Sequence, residues 1–210
     1  VVDAVGAGDE GADVGVVAAG GRRRGQQRGL HDVAAGAAVL QRAGQDDEAV
    51  VGFGTNAKMN PPLREAHDVE AIKAGIADGT IDCIATDHAP HTLTEKDVEF
   101  QLAPFGIVGL ETSLALTIIG LVETGVITLE RAIELMTSAP ARILDLKYDK
   151  FDTGVLREGG YADICIFDPK AEWIVNPNEF HSLSRNTPFA GMKLRGLVKK
   201  TIWRGSVVFE

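Results

Sequence analysis

The sequence is short of cysteine, aromatic residues, basic charge and long apolar runs, and each shortage removes a class of protein. Cysteine occurs only as Cys83 and Cys165. Both lie in apolar runs, Ile-Asp-Cys-Ile and Ile-Cys-Ile-Phe, and too far apart for a CxxC metal or redox pair. They read as buried thiols in a reducing cytoplasm. Lysine and arginine number 21 against 30 aspartates and glutamates, a formal net charge of −9. That excludes a nucleic-acid protein working through a basic face. No apolar stretch approaches the roughly 20 residues that span a bilayer, so no membrane helix is predicted. Val1 is followed closely by Asp3, Asp9, Glu10 and Asp13, without the basic and apolar regions of a signal peptide. The expectation is a soluble, cytoplasmic protein, and the 45% apolar content suits an ordinary globular interior.

Composition is uneven along the 210 residues. Residues 1–45 use nine residue types, 28 of the 45 being Ala, Gly or Val, and contain no Ser, Thr, Ile, Lys, Pro, Asn or aromatic residue. Ten glycines there weaken any helix or strand, and no alternation is sustained. Arg22-Arg23-Arg24 with Arg28 reads as a solvated basic loop, and His31 has no partner in sequence. From about Asp46 usage becomes normal. The segment 1–46 is set apart as atypical.

Beyond it, local signals order the chain. Pro61-Pro62 fixes an extended connection. Val69, Ile72 and Ile76 at helical spacing predict a helix from Arg64 to Ala77, closed by Asp78-Gly79. Ile81 to Thr86 predicts a strand buried on both faces, as in a parallel sheet. Thr92 to Leu102 reads as a charged loop and Pro104-Phe105-Gly106 as a turn. A helix follows from Leu110 to Glu123, with Leu114, Ile118, Leu121 and Val122 inward. Thr128 caps a helix at Leu129–Met136, and Ser138-Ala139-Pro140 opens another. From about Tyr148 the pattern becomes short strands (Gly154–Leu156, Ala162–Asp168, Trp173–Val175, Val198–Phe209) between Gly, Pro and Asn turns, with Gly205 turning a terminal hairpin. The fold class predicted is α/β: the C-terminal part of a TIM-like (β/α)8 barrel over 47–147, then a small β-sandwich unit over 148–210.

Asp87-His88-Ala89-Pro90-His91 follows the buried strand directly, where α/β barrels place their chemistry. A carboxylate and two imidazoles within five residues fit a catalytic metal site. Taken alone they fit a hydrogen-bonded structural loop somewhat better.

Four stretches widen the pattern: Thr55 to Arg64 (TNAKMNPPLR), Asp78 to Thr92 (DGTIDCIATDHAPHT), Ala103 to Thr112 (APFGIVGLET) and Ser184 to Gly191 (SRNTPFAG). Together, and in this order, they closely resemble the bacterial class of dihydroorotase within the amidohydrolase superfamily, from about Asp47 to Glu210. The resemblance implies a zinc-dependent, reversible hydrolysis of the cyclic amide of dihydroorotate to N-carbamoyl-aspartate in pyrimidine synthesis. It assigns Asp87 as metal ligand and as the base that moves a proton from the attacking water to the leaving amide nitrogen. Asn60, His91, Phe105 and Gly106 match substrate-binding positions, His91 meeting the substrate carboxylate and the Phe105-Gly106 backbone the pyrimidine ring. His88 reads as structural, Arg64 as a structural hydrogen-bonding residue, and Arg185 with Asn186 as ties between the β-unit and the barrel.

The family also needs a His-x-His pair, a carboxylate or carbamylated lysine, and two further histidines. By spacing, one metal histidine belongs near Val14 and a Pro-His-His motif near Gln41 and Arg42, and neither is there. The implied cofactor, one or two zinc ions, therefore lacks most of its ligands. Preserved length with foreign residues is what a shifted reading frame over 1–46 produces, and the chain alone is expected to be inactive. Two alternatives remain: a non-catalytic dihydroorotase-like scaffold for aspartate transcarbamoylase, and a hydantoinase- or allantoinase-type cyclic amidase. A homodimer or an aspartate transcarbamoylase complex is the expected assembly.

Overall fold

The computed structural model describes residues 52, 54–60, 62–63, 65–144, 146–148 and 151–210. The atypical 1–46 segment, with its arginine knot and His31, lies outside the described residues, as do Pro61 and Arg64.

Helix α1 covers Ala66–Ala77 and turns Val69 and Ile76 into the core, with Ile72 packed beside them. It stops where the sequence says it should. Asp78 N–H donates to Ala74 O at 2.9 Å, and Gly79 takes φ +78°, a left-handed conformation that costs glycine nothing.

The next segment corrects an expectation. Ile81 and residues 83–86 are buried, as a strand covered on both faces should be, yet 82–86 form no strand. A strand is defined by laddered neighbours, and no strand among the described residues runs alongside it. It is held instead by contacts such as Ile84 N–H to Leu135 O at 3.0 Å.

The charged loop at 92–102 contains a one-turn helix, α2 (Leu93–Lys96), started by a capping box between Thr92 and Glu95. Helix α3 spans Leu110–Thr117 and widens into a π-turn over Ile118–Val122 rather than running as one α-helix to Glu123. It is buried on most sides: Thr112, Ser113, Ala115, Leu116, Thr117, Ile118 and Leu121 are covered, while Leu114 and Val122 are only partly so. Thr128 caps α4 (Leu129–Met136), its hydroxyl accepting Arg131 N–H at 3.2 Å, and α5 covers Ser138–Ile143.

After a two-residue ribbon, β1 (Lys147–Tyr148) with β2 (Phe151–Asp152), the chain forms an antiparallel sheet in the order β3-β4-β5. Strand β3 is Ile164–Ile174, β4 is Lys193–Trp203 and β5 is Ser206–Phe209. Two predicted strands thus merge into β3 across an irregularity between Asp168 and Glu172. The Asp168 carboxylate accepts Lys170 N–H and Ala171 N–H there, at 2.9 and 3.1 Å, which lets the strand pass Pro169. Strand β4 begins five residues before the predicted Val198, and Gly154–Leu156 is not a strand. Arg204 and Gly205, at φ +48° and +83°, make the expected tight hairpin. Of the expected β-sandwich, the described residues form this three-stranded layer and the short ribbon.

One core joins these parts. Ile76, Ile84, Leu116, Leu121 and Leu135 cluster with Val175, Phe189 and Leu194, from both sides of the 147/148 boundary. Gly196 permits the close approach: a Cβ there would lie 2.5 Å from Ile118 Cδ1.

Candidate active site

The loop leaving the buried 81–86 segment carries Asp87, His88 and His91. Asp87 is exposed and sits at φ +46°, a left-handed conformation that Asp and Asn tolerate better than most residues. His88 is drawn inward: its Nδ1 accepts Gly109 N–H at 3.1 Å, at the start of α3. That bond fixes the proton on Nε2 when the ring is neutral, and it agrees with the structural reading of His88. The backbones of His88 and Ile107 form a parallel bridge, and Ala89 N–H donates to Ile107 O at 2.8 Å.

His91 faces the second loop. Its Nε2 lies 2.8 Å from Phe105 O and its Nδ1 3.9 Å from the exposed Glu95 carboxylate. Glu95 is held below the usual carboxylate range, first by Thr92 N–H and then by the Thr92 hydroxyl, with a smaller contribution from His91. Gly106, at φ +123°, approaches so closely that a Cβ would stand 2.4 Å from Ala89 Cβ. Only glycine fits between these loops.

Asn186 joins them. It is fully buried; its Nδ2 donates to Ala89 O at 3.0 Å and to Gly106 O at 3.1 Å, while its Oδ1 accepts His91 N–H at 3.1 Å. Its own carbonyl accepts Val108 N–H at 3.0 Å. The tie expected of Asn186 is therefore present. Arg185 differs, since its guanidinium donates to Ser182 O and Ser184 O within its own segment.

Of the predicted site residues, His91, Phe105 and Gly106 are thus in direct contact. Asn60 is exposed, two residues beyond Lys58, whose carbonyl accepts Gly106 N–H at 3.0 Å. Asp87 opens the same loop, four residues before His91. Sequence reasoning passed over Lys58 and Lys96, which are both buried here. The signal for Lys58 was slight, its two apolar neighbours Ala57 and Met59; Lys96, in a charged run, gave none.

Residues 33–208 match the amidohydrolase family. The chain belongs to that family. Two curated proteins called dihydroorotase, from Geotalea daltonii and Citrifermentans bemidjiense, are 56% and 54% identical to it over 164 residues. Those residues are 78% of this chain and 37% of either relative, so this amidohydrolase chain spans little more than a third of the relatives' length. They bear out the resemblance to dihydroorotase carried by the four motifs. Among solved structures, the L-hydantoinase (dihydropyrimidinase) of Arthrobacter aurescens superposes with a TM-score of 0.73 at 31% identity, covering 81% of this chain and 38% of its own. A dihydropyrimidinase from Brevibacillus agri superposes at 0.70 and 22% identity, over 81% of this chain and 38% of its own, a likeness of fold alone. The fold is accordingly of the mixed α/β, TIM-barrel type. The family match begins at residue 33, inside the atypical segment.

Amidohydrolases typically work with bound metal ions. A zinc site takes three or four protein ligands, and no group of three or more His, Cys, Asp or Glu among the described residues is arranged to hold an ion. Asp87 offers one hard oxygen; His88, whose Nδ1 accepts Gly109 N–H, has no free lone pair on its ring when neutral, and His91, whose Nε2–H faces Phe105 O, offers only Nδ1. The described residues by themselves do not fit a zinc site. No helix among them is long and apolar enough to cross a membrane.

Proposed function

We propose that this chain is the C-terminal part of a dihydroorotase, its residues 47–147 closing a (β/α)8 barrel and 148–210 contributing a β-sandwich unit. The observation that carries the reading is the joined pair of loops. Asp87 and His91 on one, and Phe105 and Gly106 on the other, are drawn together by Asn186.

Dihydroorotate is a small anion with a cyclic amide, and its hydrolysis adds water to the ring carbonyl, breaks the C–N bond and protonates the departing nitrogen. Asp87 takes the proton of the attacking water and returns it to that nitrogen, as a general base and then a general acid. A substrate carboxylate competes with Phe105 O for the His91 Nε2–H. Asn60 contacts the substrate, and the backbone at Phe105 and Gly106 faces the pyrimidine ring. Zinc, one or two ions in the complete enzyme, would take its ligands largely from outside the described residues. A homodimer or a complex with aspartate transcarbamoylase is the proposed assembly, in the cytoplasm.

The L-hydantoinase superposition at 31% identity favours a second reading, a hydantoinase-type cyclic amidase. The test is the complete enzyme assayed on dihydroorotate and on hydantoin, beside the 210-residue chain. Turnover of dihydroorotate by the complete enzyme, with an inactive 210-residue chain, supports the proposal. Preference for hydantoin moves it to the second reading, and no turnover with stable capture of aspartate transcarbamoylase moves it to a scaffold. Residues 1–46 are proposed to be read in a shifted frame. Translating the other two frames of their DNA should yield the missing Pro-His-His, and its absence from both sinks that idea.

A further inference from the structure

Lys58 and Lys96 are almost wholly buried, at 8% and 4% exposure. Neither ammonium pairs with a carboxylate among the described residues. A buried charge without a counter-charge is costly unless its N–H groups are well used. Both lysines direct theirs at one stretch of backbone. Lys58 Nζ donates to Phe100 O at 2.7 Å and Gln101 O at 3.0 Å. Lys96 Nζ donates to Pro104 O at 2.9 Å and, more distantly, to Lys58 O at 3.4 Å. Lys58 O also accepts Gly106 N–H at 3.0 Å, and Lys58 Nζ stands 4.6 Å from the Phe105 ring centroid. The Thr55 hydroxyl, donating to Lys96 O at 2.6 Å, ties α2 back to the Gly54–Ala57 turn.

Apolar packing would hold this segment at less electrostatic cost, but it would not fix which way the carbonyls point. The segment needs that control, because it has no regular structure beyond a turn and ends in Phe105, which is 55% exposed. We propose that Lys58 and Lys96 are positioning residues, a two-ammonium clasp on the 100–106 backbone that sets Phe105 and Gly106 against the substrate ring. The role rests on the dihydroorotase reading, because that reading supplies the ring.

Two measurements separate the clasp from the reading. In the 210-residue chain, Lys96→Met is expected to speed amide hydrogen exchange at Gly106 at least tenfold while leaving Leu135 in α4 unchanged. Lys58→Met, tested in parallel, acts on the same amide, so the proposal stays testable if one variant fails to fold. In the complete enzyme, either substitution is expected to raise KM for dihydroorotate at least tenfold with kcat within threefold. Thr92→Ala opens the cap of α2 but leaves both ammonium groups, and it should change KM less than twofold. Unchanged Gly106 exchange and KM in both lysine variants overturns the proposal, and so does a Thr92→Ala effect as large as theirs. An unaltered complete enzyme that does not open dihydroorotate removes the reading, and with it the positioning role, whatever the exchange data show.

Discussion

Asn186 Oδ1 accepts the backbone N–H of His91 at 3.1 Å across 95 positions of sequence. With two further bonds from the same amide to Ala89 O and Gly106 O, one buried side chain holds together two loops that share no secondary structure beyond a single bridge.

Asn186→Ala leaves one donor and two acceptors without that partner. Each unsatisfied buried group costs about 1–3 kcal/mol, so a loss of about 3 kcal/mol or more is expected in urea unfolding. A loss below about 1 kcal/mol would show that water replaces the amide.

Gly106→Ala places a methyl 2.4 Å from Ala89 Cβ on a backbone at φ +123°. Overpacking of this kind costs about 1–3 kcal/mol. Adding Ala89→Gly removes the clash but not the backbone strain, so the double variant should recover part of the unfolding midpoint and not all of it. Full recovery, or none, contradicts this division.

Asp87→Asn tests chemistry apart from folding. Asn tolerates the left-handed conformation at φ +46°, and the residue is exposed. Unfolding free energy should move by no more than about 0.5 kcal/mol. The kcat of the complete enzyme on dihydroorotate should fall by roughly 10²–10⁴ with the loss of the proposed proton carrier. Retained turnover would assign that proton to another group.

Burial, and secondarily the charge of Lys58, pushes Lys96 down from 10.5 to about 8. Between those values the unfolded chain binds the proton and the folded chain does not, so this group makes stability rise with pH from about 8 to 10.5. Below about 8 both states are protonated and the folded state bears the full cost of the buried charge. Thermal melts at pH 7.5 and 10 should therefore show a larger alkaline gain, or a smaller alkaline loss, in the unaltered chain than in Lys96→Met. Equal changes in the two would place the titration elsewhere.

Thr128→Ala removes the hydroxyl that accepts Arg131 N–H at the start of α4. A loss of about 1 kcal/mol in unfolding free energy is expected, and Thr128→Ser should restore most of it.

What the sequence determined by itself was whatever its neighbours in the chain could enforce. Asp78-Gly79 ends α1, Thr128 starts α4 and Arg204-Gly205 turns the hairpin, because each acts within about four residues on backbone groups that would otherwise be unpaired. The Asp87–His91 cluster was legible for the same reason, since a buried apolar run delivers those side chains together. Tertiary structure decided the rest. That residues 82–86 are buried without being laddered, and that two short strands join into β3, depends on which partners lie alongside. That Asn186 binds His91 and Gly106, and that Lys58 is buried over the 100–101 backbone, follows from contacts separated by some 42 to 97 positions. Irregular loops cannot satisfy their own carbonyls and amides, so a buried pair of them takes donors from wherever the fold brings them, and no periodicity in the chain records where that will be.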